Sequence, residues 1–114
     1  MSGADVAVVG GGPAGLALAA MAARRGLSVT LLERASLPHD KACGEGVMAA
    51  GLAVLGRLGV LDRIPDGESG PIRGIRYVQE DGSMLEGPLP GTGGLGIRRT
   101  ALSAVLLEAA RSSG

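Results

Sequence analysis

DVAVVGGGPAGLALAAMAARRGLSVTLLER, residues 5–34, changes character repeatedly within thirty positions. Residues 5–9 form a short apolar, β-branched run that ends at glycines. Residues 15–25 are rich in alanine and leucine and stop at Gly26, and residues 28–32 make a second apolar run closed by Glu33. This order predicts strand, tight turn, helix, turn and strand. Such a βαβ unit has parallel strands and a right-handed crossover. Both strands are apolar on both faces, which is the pattern of a parallel sheet covered by helices, so the fold class is α/β.

The turn reads Gly10-Gly11-Gly12-Pro13-Ala14-Gly15, a GxGxxG placed between a strand and the helix it opens. Gly10 permits the tight turn, Gly12 lets backbone amides approach a diphosphate, and Gly15 allows the helix to pack close to the strand. Pro13 costs little in a first helical turn, and the unpaired amides and positive dipole end there bind an anion without a lysine. Ala19, one turn on, is small for the same packing reason. Glu33 follows Gly15 by eighteen residues and ends the second strand. There it is placed to accept hydrogen bonds from a ribose 2′-hydroxyl, and its charge would repel a 2′-phosphate. Together these residues predict a site for an adenine dinucleotide.

Beyond this unit, residues 35–46 are a polar loop holding His39, Asp40, Lys41, Cys43 and Glu45. Residues 47–61 carry Leu52, Leu55, Leu58 and Leu61 at helical spacing, interrupted by Gly51, Gly56 and Gly59. Residues 65–71 read as a linker or turn. Ile72, Ile75, Tyr77 and Val78 suggest a strand, Asp81-Gly82 a hairpin turn, residues 83–86 a second strand and residues 87–96 an extended loop. Residues 100–111 place Leu102, Val105, Leu106 and Ala109 on one face of a helix with Thr100 as its N-cap.

Composition narrows the function. Among 114 residues, 11 Lys and Arg balance 11 Asp and Glu, so the chain lacks the basic excess that nucleic-acid binding needs. Hydrophobic residues make up 46% with no Phe or Trp and one Tyr, which calls for an aliphatic core. The 21 glycines far exceed an average share of about 7% and ask for tight turns and close backbone approaches. The lone Cys43 excludes an internal disulfide and a cysteine-based zinc site, making a cytoplasmic setting the expectation. Residues 6–23 are free of charge over a length that raises a membrane span, but Gly10 to Pro13 interrupt them and Asp5 precedes them, so no transmembrane segment is expected.

Residues 5–34 resemble the amino-terminal FAD signature of flavoprotein oxidoreductases. KACGEGVMAAGLAVLGRLGVLDRI, residues 41–64, is similar to the segment after the second strand in geranylgeranyl reductase-like and related para-hydroxybenzoate hydroxylase-fold flavoenzymes. GIRRTALSAVLLEAARSSG, residues 96–114, resembles the family pattern of an arginine ahead of an amphipathic helix, matched by Arg99, Leu102 and Leu106. Ser103 departs from the aspartate that many reductase-like members carry.

The resemblance implies a single, incomplete FAD-binding domain over residues 1–114: a partial Rossmann-like unit plus helices, with a β-hairpin from an incomplete substrate sheet. Its parts are the dinucleotide unit at 1–34, a flavin-side loop and helix at 35–64, the hairpin at 72–87 and a helix at 99–112. It implies that Gly10, Gly12, Pro13, Ala14 and Gly15 hold the FAD diphosphate, that Glu33 holds the adenosine ribose and that Arg34 flanks the adenosine. Gly44, Gly46 and Val47 would pass near the isoalloxazine, and Arg99, rather than its neighbour Arg98, would bring a cation to the cofactor. It also implies NADH or NADPH as electron donor and an apolar or aromatic small-molecule substrate. Cys43 reads as a small packed residue, His39 as a solvated loop residue, and Glu45 as either a proton relay or a solvent-facing acid. A non-catalytic dinucleotide-binding module and an NAD-binding Rossmann unit are the competing readings. The family pattern continues into later Asp-Gly and Gly-Asp motifs, so the chain reads as the first quarter to third of a larger enzyme. In isolation it is expected to be weakly stable, which a cooperative thermal transition would contradict.

Overall fold

The computed structural model describes residues 3–42 and 45–113. Strand β1 (Val6–Val9) pairs in parallel with β2 (Val29–Leu32), in the register Val6 to Val29 through Val9 to Leu32. Helix α1 (Pro13–Arg24) makes the crossover, and Gly26, at φ +83°, turns the chain back. The start of the pair is fastened by Asp5 and Ser28. The Ser28 amide and hydroxyl donate to Asp5 Oδ2 at 2.9 and 3.0 Å, and the Asp5 amide donates to Ser28 Oγ at 2.9 Å. These bonds, led by the Ser28 amide, hold the Asp5 carboxyl below its ordinary range.

Helices α2 (Ala49–Leu58) and α3 (Arg99–Ser112) pack with α1 around Leu16, Ala20, Leu55, Leu58, Val60, Ile97, Leu102, Val105, Leu106 and Ala109. The core is aliphatic, and each buried leucine or valine contributes about 1.5–3 kcal/mol relative to exposure. The helix expected over 47–61 is shorter than its leucine spacing suggests. Gly59 adopts φ +71°, its amide donates to the Gly56 carbonyl, and the Val60 amide donates to Leu55 O at 3.2 Å. This Schellman closure buries Val60 beside Leu55, and the chain continues as a 3₁₀ turn (Leu61–Arg63). Gly56 lies inside α2 with open space where a Cβ would stand. Gly56→Ala should therefore stabilise the chain by about 0.5–1 kcal/mol, read as a higher denaturation midpoint.

The largest departures from expectation lie in a three-stranded antiparallel sheet of order β3 (Gly46–Val47), β7 (Gly94–Ile97), β4 (Ser69–Ile72). Residues 69–71, expected as linker, are strand. Residues 94–96, expected as loop, form the middle of the sheet. Glycine gives β7 no alternation to read, yet a Cβ at Gly94 would lie 2.9 Å from both Met48 Cε and Val47 O, so the close approach requires glycine. Pro71 is tolerated because β4 is an edge strand. The strand expected from residue 72 onward is divided at Arg73 into β4 and β5 (Gly74–Val78).

Strand β5 pairs with β6 (Met84–Pro88) as the expected hairpin, Tyr77 opposite Leu85, with every strand residue exposed. Gly82 takes φ +85° in its turn, and Asp81 Oδ1 accepts the Ser83 amide at 2.8 Å and its hydroxyl at 2.6 Å. The hydroxyl and then the amide lower the Asp81 pKa.

Thr100 is not the cap of α3. Strand β7 runs straight into the helix, Arg98 occupies the cap with its amide donating to Glu68 O at 2.9 Å, and Thr100 is already helical. Among the described residues, no helix is long and apolar enough to cross a membrane.

Candidate dinucleotide site

The glycine turn joins the end of β1 to the start of α1. Gly10, at φ +106°, donates its amide to Leu32 O at 2.8 Å, which ties the turn to β2. A Cβ on Gly15 would collide with the Gly10 carbonyl oxygen, so glycine is required for this helix to rise so close to the strand end. Gly12 is the N-cap and Pro13 opens the helix; the first intrahelical bond is Leu16 N–H to Gly12 O at 2.9 Å. The amides of Gly12, Ala14 and Gly15 therefore have no intrahelical acceptor, and they form the anion-binding end that the motif calls for.

Glu33 does more than its sequence position indicates. Its Oε1 accepts the Gly11 amide and its Oε2 the Ala35 amide, each at 3.1 Å, so it staples the glycine turn to the loop after β2. The Ala35 amide first, and the Gly11 amide next, hold its carboxyl below the usual range. Each carboxylate oxygen keeps a further lone pair for a ribose hydroxyl.

These groups surround a cavity of about 360 Å³. Of the sequence-predicted residues, Gly10, Gly12, Pro13, Glu33, Arg34 and Arg99 line it together. Arg99 reaches over Gly12, its Nη2 lying 3.9 Å from where a Cβ on that glycine would be. Arg98 instead pairs with Glu68 at 3.1 Å on the exposed side. Gly15 is not among the lining residues; a Cβ there would meet Val8 as well as Gly10. The side chains of Ala14 and Val47 are placed differently: with Pro13, Gly51 and Leu102 they line a second, apolar cavity of about 210 Å³. Gly46 is in β3 opposite Gly96, and Gly44 and Cys43 lie outside the described residues.

Five residues lining the cavity were not among the predicted site residues, Gly11 and Ala35 with their amides on Glu33 being two of them. His39, expected as a solvated side chain, lines the cavity, as do Lys41 and the buried Ser103. The signal for Ser103 was a polar residue adjoining the apolar face of α3. Glu45 also gains a position: its carboxylate accepts the Arg99 amide at 3.5 Å, placing a negative charge at the start of α3. Among the described residues, no cluster of His, Cys, Asp or Glu suits a metal ion.

A glycine turn that admits no Cβ at Gly15 and takes positive φ at Gly10, unpaired helix-end amides, a carboxylate with spare acceptors and an arginine over the turn fit an adenine dinucleotide. The FAD binding domain family matches residues 3–114, and the chain belongs to that family. FAD is accordingly its cofactor. Menaquinone reductase of Mycolicibacterium smegmatis is 54% identical over 57 residues, which cover 50% of this chain and 14% of that protein. The fold is similar to that of the myxobacterial chondrochloren halogenase CndH, an FAD-dependent halogenase, with TM-score 0.81 and 27% identity over 97% of this chain and 27% of the halogenase. It is also similar to p-nitrophenol 4-monooxygenase from Pseudomonas putida, with TM-score 0.78 and 26% identity over 94% of this chain and 29% of that one. The chain thus spans less than a third of the length of these relatives.

Proposed function

We propose that this chain anchors FAD within a flavin-dependent oxidoreductase that draws electrons from NADH or NADPH. The observation that carries the proposal is the convergence of the glycine turn, Glu33 and Arg99 on one cavity. In this reading the amides at Gly12, Ala14 and Gly15 hold the diphosphate, with Gly10 and Pro13 shaping the turn. Glu33 accepts the adenosine ribose hydroxyls, Arg34 flanks the adenosine, and Arg99 sets a fixed cation beside the phosphates. Gly44, Gly46 and Val47 are the residues proposed to run near the isoalloxazine. FAD, when bound, supplies the redox chemistry, and the protein's part is binding, orientation and exclusion of water.

Within the family we favour the geranylgeranyl reductase-like branch, acting on an apolar or aromatic substrate in the cytoplasm. The KACGEGV stretch and the identity to a menaquinone reductase support it. The division into a dinucleotide unit at 1–34, a flavin-side segment at 35–64, a hairpin at 72–87 and a closing helix at 99–112 belongs to the same proposal.

The test is a flavin absorbance spectrum of the purified protein followed by parallel FAD and NAD titrations. Saturable FAD binding with NAD ignored is expected. A folded chain that binds NAD and not FAD would sink the proposal. Arg99→Gln should weaken FAD binding about tenfold, as the loss of a charge-assisted contact does. Arg98→Gln should change the same dissociation constant by less than about twofold, since a solvent-exposed ion pair contributes little.

A further inference from the structure

We propose that Ser103 is a positioning residue for the adenine-nucleotide cavity, its hydroxyl tying the segment of residues 35–41 to α3; this rests on the dinucleotide reading above. Ser103 adjoins the buried residues Leu102, Val105 and Leu106 and is itself 3% exposed. A hydroxyl in such surroundings is unfavourable unless hydrogen-bonded. It accepts the His39 amide at 3.2 Å, across 64 positions of sequence.

The 35–41 segment has no helix or strand of its own and is held at three points. The Ala35 amide donates to Glu33 Oε2, and the Leu37 side chain packs against the core. The third point is the His39 amide on Ser103. The first anchor belongs to β2 and its exit, whereas the third crosses to α3, so the segment lies as a strap between the two walls of the cavity. Ala35, His39 and Ser103 all line it. Without the hydroxyl, the far end of the strap loses its hydrogen-bonded tie to α3 and keeps only the apolar packing of Leu37 and Pro38, while the near end stays fixed. The wall against the bound nucleotide then becomes mobile although nothing that touches the diphosphate has changed.

Ser103→Ala removes one atom from a helix interior, where alanine is the best helix former, so folding is preserved. The wild type and two variants, Ser103→Ala and Ser103→Thr, would be compared by FAD titration and by hydrogen exchange of the His39 amide in the ligand-free protein. Ser103→Ala should weaken FAD binding about three- to tenfold, the loss that one ordinary hydrogen bond supports, with faster exchange at His39. Ser103→Thr, which keeps the hydroxyl, should restore both. Wild-type affinity in Ser103→Ala would overturn the positioning role. So would weaker binding with unchanged His39 exchange, because the effect would then travel through helix packing. If the wild-type protein itself takes no FAD, the cofactor reading fails and this inference fails with it, a result distinct from the other two.

Discussion

Gly15→Ala is expected to lower FAD affinity by about a hundredfold or more and to destabilise the chain in the same stroke. A Cβ at this position collides with the carbonyl oxygen of Gly10, a backbone atom in a turn held to β2 through the Gly10 amide. Neither side can yield without moving the first turn of α1 away from the strand. Overpacking of this kind costs about 1–3 kcal/mol, and the shift misaims several amides at once, each bond to a charged ligand being worth more than a neutral one. Thermal unfolding followed by circular dichroism, together with FAD titration, checks both effects. Gly56→Ala serves as the opposite control, because it adds the same methyl group to a helix with free space. Equal FAD affinity in the Gly15 variant and the wild type would show that the turn does not hold the cofactor.

Glu33→Ala should weaken FAD binding about ten- to a hundredfold, since it removes a charged acceptor and leaves the Gly11 and Ala35 amides without their partner. The pH dependence follows from the direction of the carboxyl's shift. Its pKa in the folded protein is lowered by those two amides, so the staple contributes in full above the unfolded-chain value of about 4.3. That contribution is lost as pH falls through the lower, folded value. FAD affinity of the wild type should therefore be flat near neutrality with respect to this group and decline in acid. Glu33→Gln, which cannot titrate, should bind more weakly at neutral pH and show a shallower acid limb. An identical acid limb in the two proteins would assign the decline to another group.

Much of this site was legible because its chemistry is local. Gly10 to Gly15 and Glu33 fall within one βαβ unit, where each glycine answers to a steric demand and the strand ends follow from apolar runs. The leucine and valine spacing of α3 and the Asp81-Gly82 turn were readable for the same reason. Strand β7 was hidden because Gly94-Leu95-Gly96-Ile97 offers almost no side chains to alternate, and its strand character is imposed by the neighbours on either side. Strand β4 carries a glycine and a proline that argue for a turn, and only its place at a sheet edge makes them acceptable. The link from Ser103 to His39 depends on how α3 docks, which no local pattern reports. Family resemblance chose Arg99 over Arg98 as the cation for the cofactor by register, but the distinction became physical only when Glu68 was seen to occupy Arg98.

The packing of α3 against α1 also sets a schedule. Residues 25–98 lie between the two helices, and at a synthesis rate of about 5–20 residues per second the apolar side of α1 waits roughly four to fifteen seconds for its partner. During that interval Leu16 and Ala20 have no α3 to cover them, and the cavity lacks the wall that carries Arg99 and Ser103. On a ribosome, the segment with the clearest dinucleotide signature is made before the helix that completes the wall of the pocket it serves.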